Sequence, residues 1–174
     1  MADNMERQIV DVAEFVRSRF FGKYRGLVTD VDDPDTLGRI KAQVPEVYGD
    51  TDSPWAVPAV PFAGNDHGLI LLPEENDGVW IEFEAGDPSR PIWTGGWWGS
   101  GEMPSDGTPL KRALVTTKGH KLILDDDAGA LRLVHSGGAE LTMTDSDITL
   151  KIGSSQIVLS ASGVDINNGA LKVT

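Results

Sequence analysis

The chain has 174 residues, 40% of them apolar, and a formal net charge of −12, a length that permits one ordinary domain plus an appendage. It has no cysteine, which excludes disulfides and thiolate metal sites. No stretch is apolar enough to read as a membrane-spanning helix, and the acid-bearing N-terminus lacks the apolar core of a secretory signal.

Charge is unevenly placed. Residues 1–20 carry −1, residues 21–110 carry −11 and residues 111–174 carry 0. A central module this acidic repels phosphate backbones and argues against nucleic-acid binding. The neutral tail fits a segment that packs against copies of itself, where like charges would cost energy.

In chain order, residues 4–20 read as a helix. Asp3 and Glu6 form a capping pair, and Ile9, Val12, Ala13, Val16 and Phe20 share one side. That side either packs on its own domain or forms an arm for a partner subunit. Residues 24–98 read as a compact all-β module. Strands are expected at 24–29, 39–44, 55–60, 68–72, 79–83 and 91–94, with turns marked by Pro34, Gly38 and the Gly86-Asp87-Pro88 run. About five or six short strands imply a small barrel. All five tryptophans lie between positions 55 and 98, so this module owns the bulky core.

Residues 99–110 are a linker by composition. After them comes a ladder of short alternating strands without one aromatic residue, with cores at 121–124, 131–134, 141–143, 148–152, 157–159, 164–166 and 171–173. Gly, Asp, Ser and Asn punctuate it. The recurrence of seven to ten residues accommodates one strand and one turn, and stacking such repeats buries a continuous apolar stripe. One copy has too little apolar bulk to bury itself. Three chains, each supplying one face, would place Leu122, Leu124, Leu131, Leu133, Leu141, Met143, Ile148, Leu150, Ile157, Leu159, Val164, Ile166, Leu171 and Val173 on a shared axis. Such an intertwined prism leaves no exposed lateral edges along its length, and interchain hydrogen bonding together with the shared axis is expected to make it stiff and resistant to unfolding.

The ordered run of Gly38-Arg39, Pro45, Trp55, Gly68, Pro73, residues 79–83 and Gly86-Asp87-Pro88 resembles the OB-fold domain of contractile-tail spike proteins. That family includes phage central spikes, the phage baseplate assembly protein V and the valine-glycine repeat protein of type VI secretion. Residues 118–143 look like the start of the family's triple-stranded β-helix. The resemblance implies an all-β chain: an N-terminal helical arm (1–22), an OB-fold barrel (23–98), a linker (99–110) and an intertwined trimeric β-prism (111–174). It implies a homotrimer at the centre of a baseplate, a separate hub subunit, and a target membrane contacted only mechanically. It also implies assembly in the cytoplasm into a phage tail or tail-like particle. With no His-x-His pair near the end, a PAAR-repeat tip protein is expected to seat on a platform at Lys172 and Thr174.

Chemical alternatives are weaker. Asp30, Asp32, Asp33 and Asp35 lack the glycine and distant glutamate of a calcium loop. Asp125, Asp126 and Asp127 read as a turn. His67, His120 and His135 are scattered, without metal or nucleophile spacing. Glu82 and Glu84 alternate with apolar residues as the wet face of a strand rather than as glycosidase acids. Trp93, Trp97 and Trp98 read as buried at the barrel mouth or a trimer interface. No catalysis and no cofactor are expected. The alternative is a carbohydrate- or oligonucleotide-binding OB module on a trimerising stalk.

Overall fold

The computed structural model describes residues 2–173, without the side chains of residues 2–4 and Lys172. The Asp3 side chain of the expected capping pair, Thr174 and the Lys172 side chain therefore lie outside the described residues. The chain folds as two units, Met1–Gly101 and Glu102–Thr174.

In the first unit, helix α1 spans Ala2–Arg17. It starts before Asp3 and stops short of Phe20, which packs on the barrel instead. Strands β1 (Tyr24–Asp30) and β2 (Lys41–Gln43) are followed by a single helical turn, α2 (Pro45–Tyr48). Then come β3 (Val57–Pro58), β4 (Ala63–Gly64), β5 (His67–Gly68), β6 (Gly78–Phe83) and β7 (Pro91–Trp97). The sheet order is β2-β1-β6-β7-β3. Isolated bridges Ile40–Ala56 and Gln43–Asp52 join the β2 edge to the segment that runs into β3. Those bridges curl the sheet back on itself, which is how a small barrel removes its edges.

The core is Val28, Ile40, Ala42, Val44, Ala56, Val79, Ile81, Phe83 and Trp93. Strand β6 alternates as its sequence requires: Val79, Ile81 and Phe83 point in, while Trp80 and Glu82 lie on the other side. The strand expected over 68–72 does not form beyond Gly68. Residues 69–72 leave the β4–β5 hairpin as exposed irregular chain, with Ile70 78% exposed. An apolar run without a ladder partner reads like a buried strand, and its periodicity alone cannot tell the two apart.

Around Phe83, the rings of Phe20, Tyr24 and Tyr48 stand at centroid distances of 6.0, 5.5 and 6.0 Å, the spacing that favours edge-on aromatic contact. The Gly86-Asp87-Pro88 turn clasps this cluster from outside. Phe20 N–H donates to Gly86 O (2.9 Å), Arg19 pairs with Asp87 (3.2 Å), and Tyr48 O–H donates to Pro88 O (2.6 Å). Burial pushes the Tyr48 phenol up to about 12.

In the second unit, residues 102–110 make turns, and eight strands follow: β8 (Lys111–Val115), β9 (Lys121–Asp125), β10 (Ala130–Val134), β11 (Glu140–Met143), β12 (Asp147–Ile152), β13 (Ser155–Ser160), β14 (Gly163–Ile166) and β15 (Leu171–Val173). They form one antiparallel meander in chain order. Strand β8 lies outside the ladder expected from sequence because its Lys-Arg-Ala-Leu-Val run does not alternate cleanly. Within this chain each interior strand bonds to the strand before and the strand after it, so the ladder's backbone hydrogen bonds are internal.

Gly86 is buried with φ +74°, and an added Cβ would lie 2.9 Å from the Phe21 ring and 3.2 Å from Arg19 Cβ. The exposed ring can move aside, so backbone strain is the larger cost. Gly86→Ala is expected to destabilise the first unit by about 1–2 kcal/mol, read as a lower denaturation midpoint in a tryptophan-fluorescence titration. An unchanged midpoint would show that the clasp tolerates a side chain.

Candidate functional site: an apolar strand face left in water

The meander register sorts the ladder's side chains into two faces. Successive Cα partners run Leu114, Leu122, Leu133, Leu141, Leu150, Ile157, Ile166 and Leu171 in one unbroken row. A second row runs Leu124, Leu131, Met143, Ile148, Leu159, Val164 and Val173, with Arg112 ahead of it on β8. All fourteen residues expected on a shared axis fall in these rows. Because the side-chain period of a strand is two, a slip of one residue anywhere would have thrown part of the set to the other face.

Burial on this sheet is inverted. None of the fourteen is buried, and nine are exposed, from 36% at Ile148 to 58% at Val173. Across β13 the pattern is plain: Ile157 and Leu159 are exposed, while Gln156, Val158 and Ser160 behind them are half-buried. The opposite face holds the unit's two buried side chains among the described residues, Ile123 and Asp125. A half-buried sheet in a self-sufficient domain places its apolar face inward and its polar face in water. Here a contiguous apolar stripe stays wet, well beyond the scattered exposed leucines of an ordinary surface. Leu114 and Ile152 extend the stripe and are not singled out by the sequence; Leu114 lies on the unexpected strand β8, and Ile152 sits beside the Gly153 turn.

The other face is organised by ion pairs. Lys111 pairs with Asp125 (2.9 Å), Lys121 with Asp106 (2.6 Å) and Arg132 with Glu140 (2.6 Å). Arg132 Nε–H donates to Glu140, as does Thr142 O–H, and these bonds hold the Glu140 carboxyl below the usual carboxylate range. The Lys111 ammonium, then the Ala128 N–H, do the same for Asp125. These charges are satisfied at short range within the chain.

His120 and His135, far apart in sequence, meet in neighbouring turns with ring centroids 4.6 Å apart. Each Nδ1 accepts a backbone N–H, from Ser136 to His120 and from Gly137 to His135, so both rings serve as turn anchors. Among the described residues, no cluster of three or more His, Asp or Glu could hold a metal.

In the first unit the residues expected to mark the OB motif are structural. Gly38 O accepts from Trp93 Nε1 (3.1 Å). Arg39 donates to Asp33 and Asp35, and Asp33 also accepts from the backbone N–H of Asp35, Leu37 and Arg39. The Arg39 guanidinium holds the Asp33 carboxyl far below its ordinary range. Asp30 pairs with Lys41 (2.8 Å), so three of the loop's four carboxylates are held by nearby cations and backbone. Trp55 faces the cations of Arg39 (5.7 Å) and Lys41 (4.4 Å), a cation–π arrangement. Gly68 lies in β5, and Pro73 is half-buried without a strand. Trp93 is buried as expected. Trp97 carries the Arg25 guanidinium against its ring (5.1 Å) and donates Nε1–H to Val79 O, which leaves little free face for a sugar or base. Trp98 is exposed in the single chain.

Because Asp125 and Glu140 have depressed folded-state pKa values, they contribute stability above the ordinary carboxylate pKa, and it is lost as pH falls below about 4. The ladder is expected to hold its melting temperature from pH 7 to 5 and lose it on further acidification. Glu140→Gln should flatten that acid branch. An identical acid branch in the variant would remove the Arg132–Glu140 pair from the explanation.

Two family models match the chain. One, described as the type VI secretion system/phage-baseplate injector OB domain, matches residues 24–98. The other, described as the phage baseplate V C-terminal trimerisation domain, matches residues 111–172.

Proposed function

The chain belongs to the phage baseplate V family, and from that premise we propose that it is the central spike of a contractile tail or injection particle, acting mechanically and without catalysis. Its place in this family makes it a structural baseplate component with a trimerisation domain, part of a phage tail or injection particle. The finer reading rests chiefly on one observation: the two unbroken apolar rows that a single chain leaves in water.

Three such faces turned inward would make a prism with a continuous dry axis. Eight strands at ~4.8 Å spacing give a stripe about 34 Å long. Each half-exposed aliphatic side chain leaving water contributes on the order of 1 kcal/mol, at about 25 cal/mol per Å2. Summed along the stripe, that exceeds the ordering cost of a few side chains already held on strands. In this reading Leu122, Leu141, Ile157 and their row-mates are the trimer core. The aromatic-free, layered build favours a uniform shaft, and sheath contraction drives it through a target envelope.

The remaining partners follow from free surfaces. A hub subunit takes the first unit, where the irregular chain at 69–72 offers exposed apolar residues beside an acidic barrel. At the far end of the ladder the outer edge of β15 has no neighbour among the described strands. An unpaired edge recruits a cover, which supports a PAAR-repeat tip protein seated around Lys172 and Thr174. Assembly in the cytoplasm accords with the cysteine-free chain.

Multi-angle light scattering at micromolar concentration is expected to give a mass about three times the 18.7 kDa chain. Ile157→Asp combined with Leu159→Asp should yield monomers whose first unit still melts cooperatively. A monomeric wild type, or a trimeric double variant, would overturn the inward-facing stripe.

A further inference from the structure

Helix α1 carries a second apolar surface that nothing in its own unit covers. Met5, Ile9, Val12 and Val16 are 60–65% exposed and line one shallow groove along the helix with Gln8 and Ala13. Their spacing of four, three and four residues is a strict heptad seam, with Met5 and Val12 at d and Ile9 and Val16 at a. The flanking e and g positions are Glu6, Gln8, Ala13 and Phe15, with one charge among them. Arg7, Asp11, Glu14 and Arg17 fall on the outer b, c and f positions. A 16-residue helix with its apolar seam in water is marginal by itself.

We infer that the three α1 helices of the trimer pack on one another as a parallel three-stranded coiled coil, so the occupant of the α1 seam is two further copies of the same seam. The stoichiometry is set elsewhere: the trimerisation domain brings three N-terminal segments together in one particle at an effective concentration in the millimolar range. Parallel register follows from parallel chains in the trimer. Branched residues at both a and d (Ile9, Val16 and Val12) favour three strands over two. At about 1.5 Å per residue the seam from Met5 to Val16 is roughly 18 Å long, which a tethered trimer can hold although free peptides of that length would not associate. Arg19 and Phe20, fastened to Asp87 and Gly86, then fix where each helix leaves its barrel.

This inference rests on the trimeric reading above, and the test separates the two. The chain has no cysteine, so single cysteines report cleanly. Val12→Cys places a thiol on the seam, and Glu14→Cys places one on the outer f position. After mild oxidation of the full-length protein, Val12→Cys is expected to run mostly as covalent dimers, with one chain in three unpaired. Glu14→Cys is expected to stay monomeric on a denaturing gel. Val16→Cys serves as a second seam position should Val12→Cys misassemble. Light scattering of the same samples settles which idea has failed. A trimer in which seam and outer cysteines cross-link equally poorly overturns the coiled coil alone and leaves the seam to a different protein. A monomer overturns the trimer and the coiled coil together.

Discussion

The constraint on which the ladder depends is that the aliphatic face of its sheet is left uncovered by the described residues of its own chain. Apart from the outer edges of β8 and β15, the sheet of eight short strands satisfies its backbone internally, so hydrogen bonding does not demand partners for its broad face. Water does. The stripe from Leu122 to Val173 cannot fold over on itself, because consecutive strands joined by tight turns form a single layer, and a single layer has no second sheet to bury its face. In the proposed trimer, folding of the second unit and association of chains would be coupled.

The first unit obeys the opposite logic. Its sheet closes through the Ile40–Ala56 and Gln43–Asp52 bridges, and its core is filled by large side chains from the barrel wall. Some of its charges are paired locally, as at Asp33 and Arg39. Besides Leu27 and Val57 on its strands, it leaves apolar residues exposed on attachments to the barrel, the chain at 69–72 and the seam of α1 among them. A self-sufficient module that carries unsatisfied appendages suits a part that must be held by others while keeping its own shape.

The sequence is most readable where chemistry repeats. Strict alternation of aliphatic with polar residues sorts fourteen ladder side chains onto one face, because a period of two admits few registers and each one-residue error would mix the faces. Reading is poorer wherever tertiary context decides. Strand β8 escapes it because Ala113 and Val115 give its two faces similar character. Residues 69–72 look like a strand because a continuous apolar run is equally suited to a buried ladder and to an exposed arm. The Gly86 turn is legible as a turn, but its role in clasping Arg19, Phe20 and Tyr48 depends on contacts between residues distant in sequence. The meeting of His120 and His135 likewise needs the meander before it can be seen. The seam of α1 is partly visible, since Ile9, Val12 and Val16 share a side in any helix; that the side stays bare requires the packed barrel.

The meander also changes how stiffness arises. From sequence alone, strength is expected from hydrogen bonds between chains, whereas the bonds seen here join strands of the same chain. Those bonds lie perpendicular to the strands, so they run along the direction in which the strands stack. In the proposed trimer a load along the stacking direction would be carried by three separate ladders. The apolar axis between them contributes something else. A single sheet this thin would bend about its strands, and packing the three faces together at interior density resists that bending. Uniform aliphatic layers suit this better than aromatics, because each layer then has nearly the same cross-section and none forms a step at which the shaft would hinge. The absence of aromatic residues after Trp98 fits the proposed prism, since three bulky rings meeting at one level would force its faces apart.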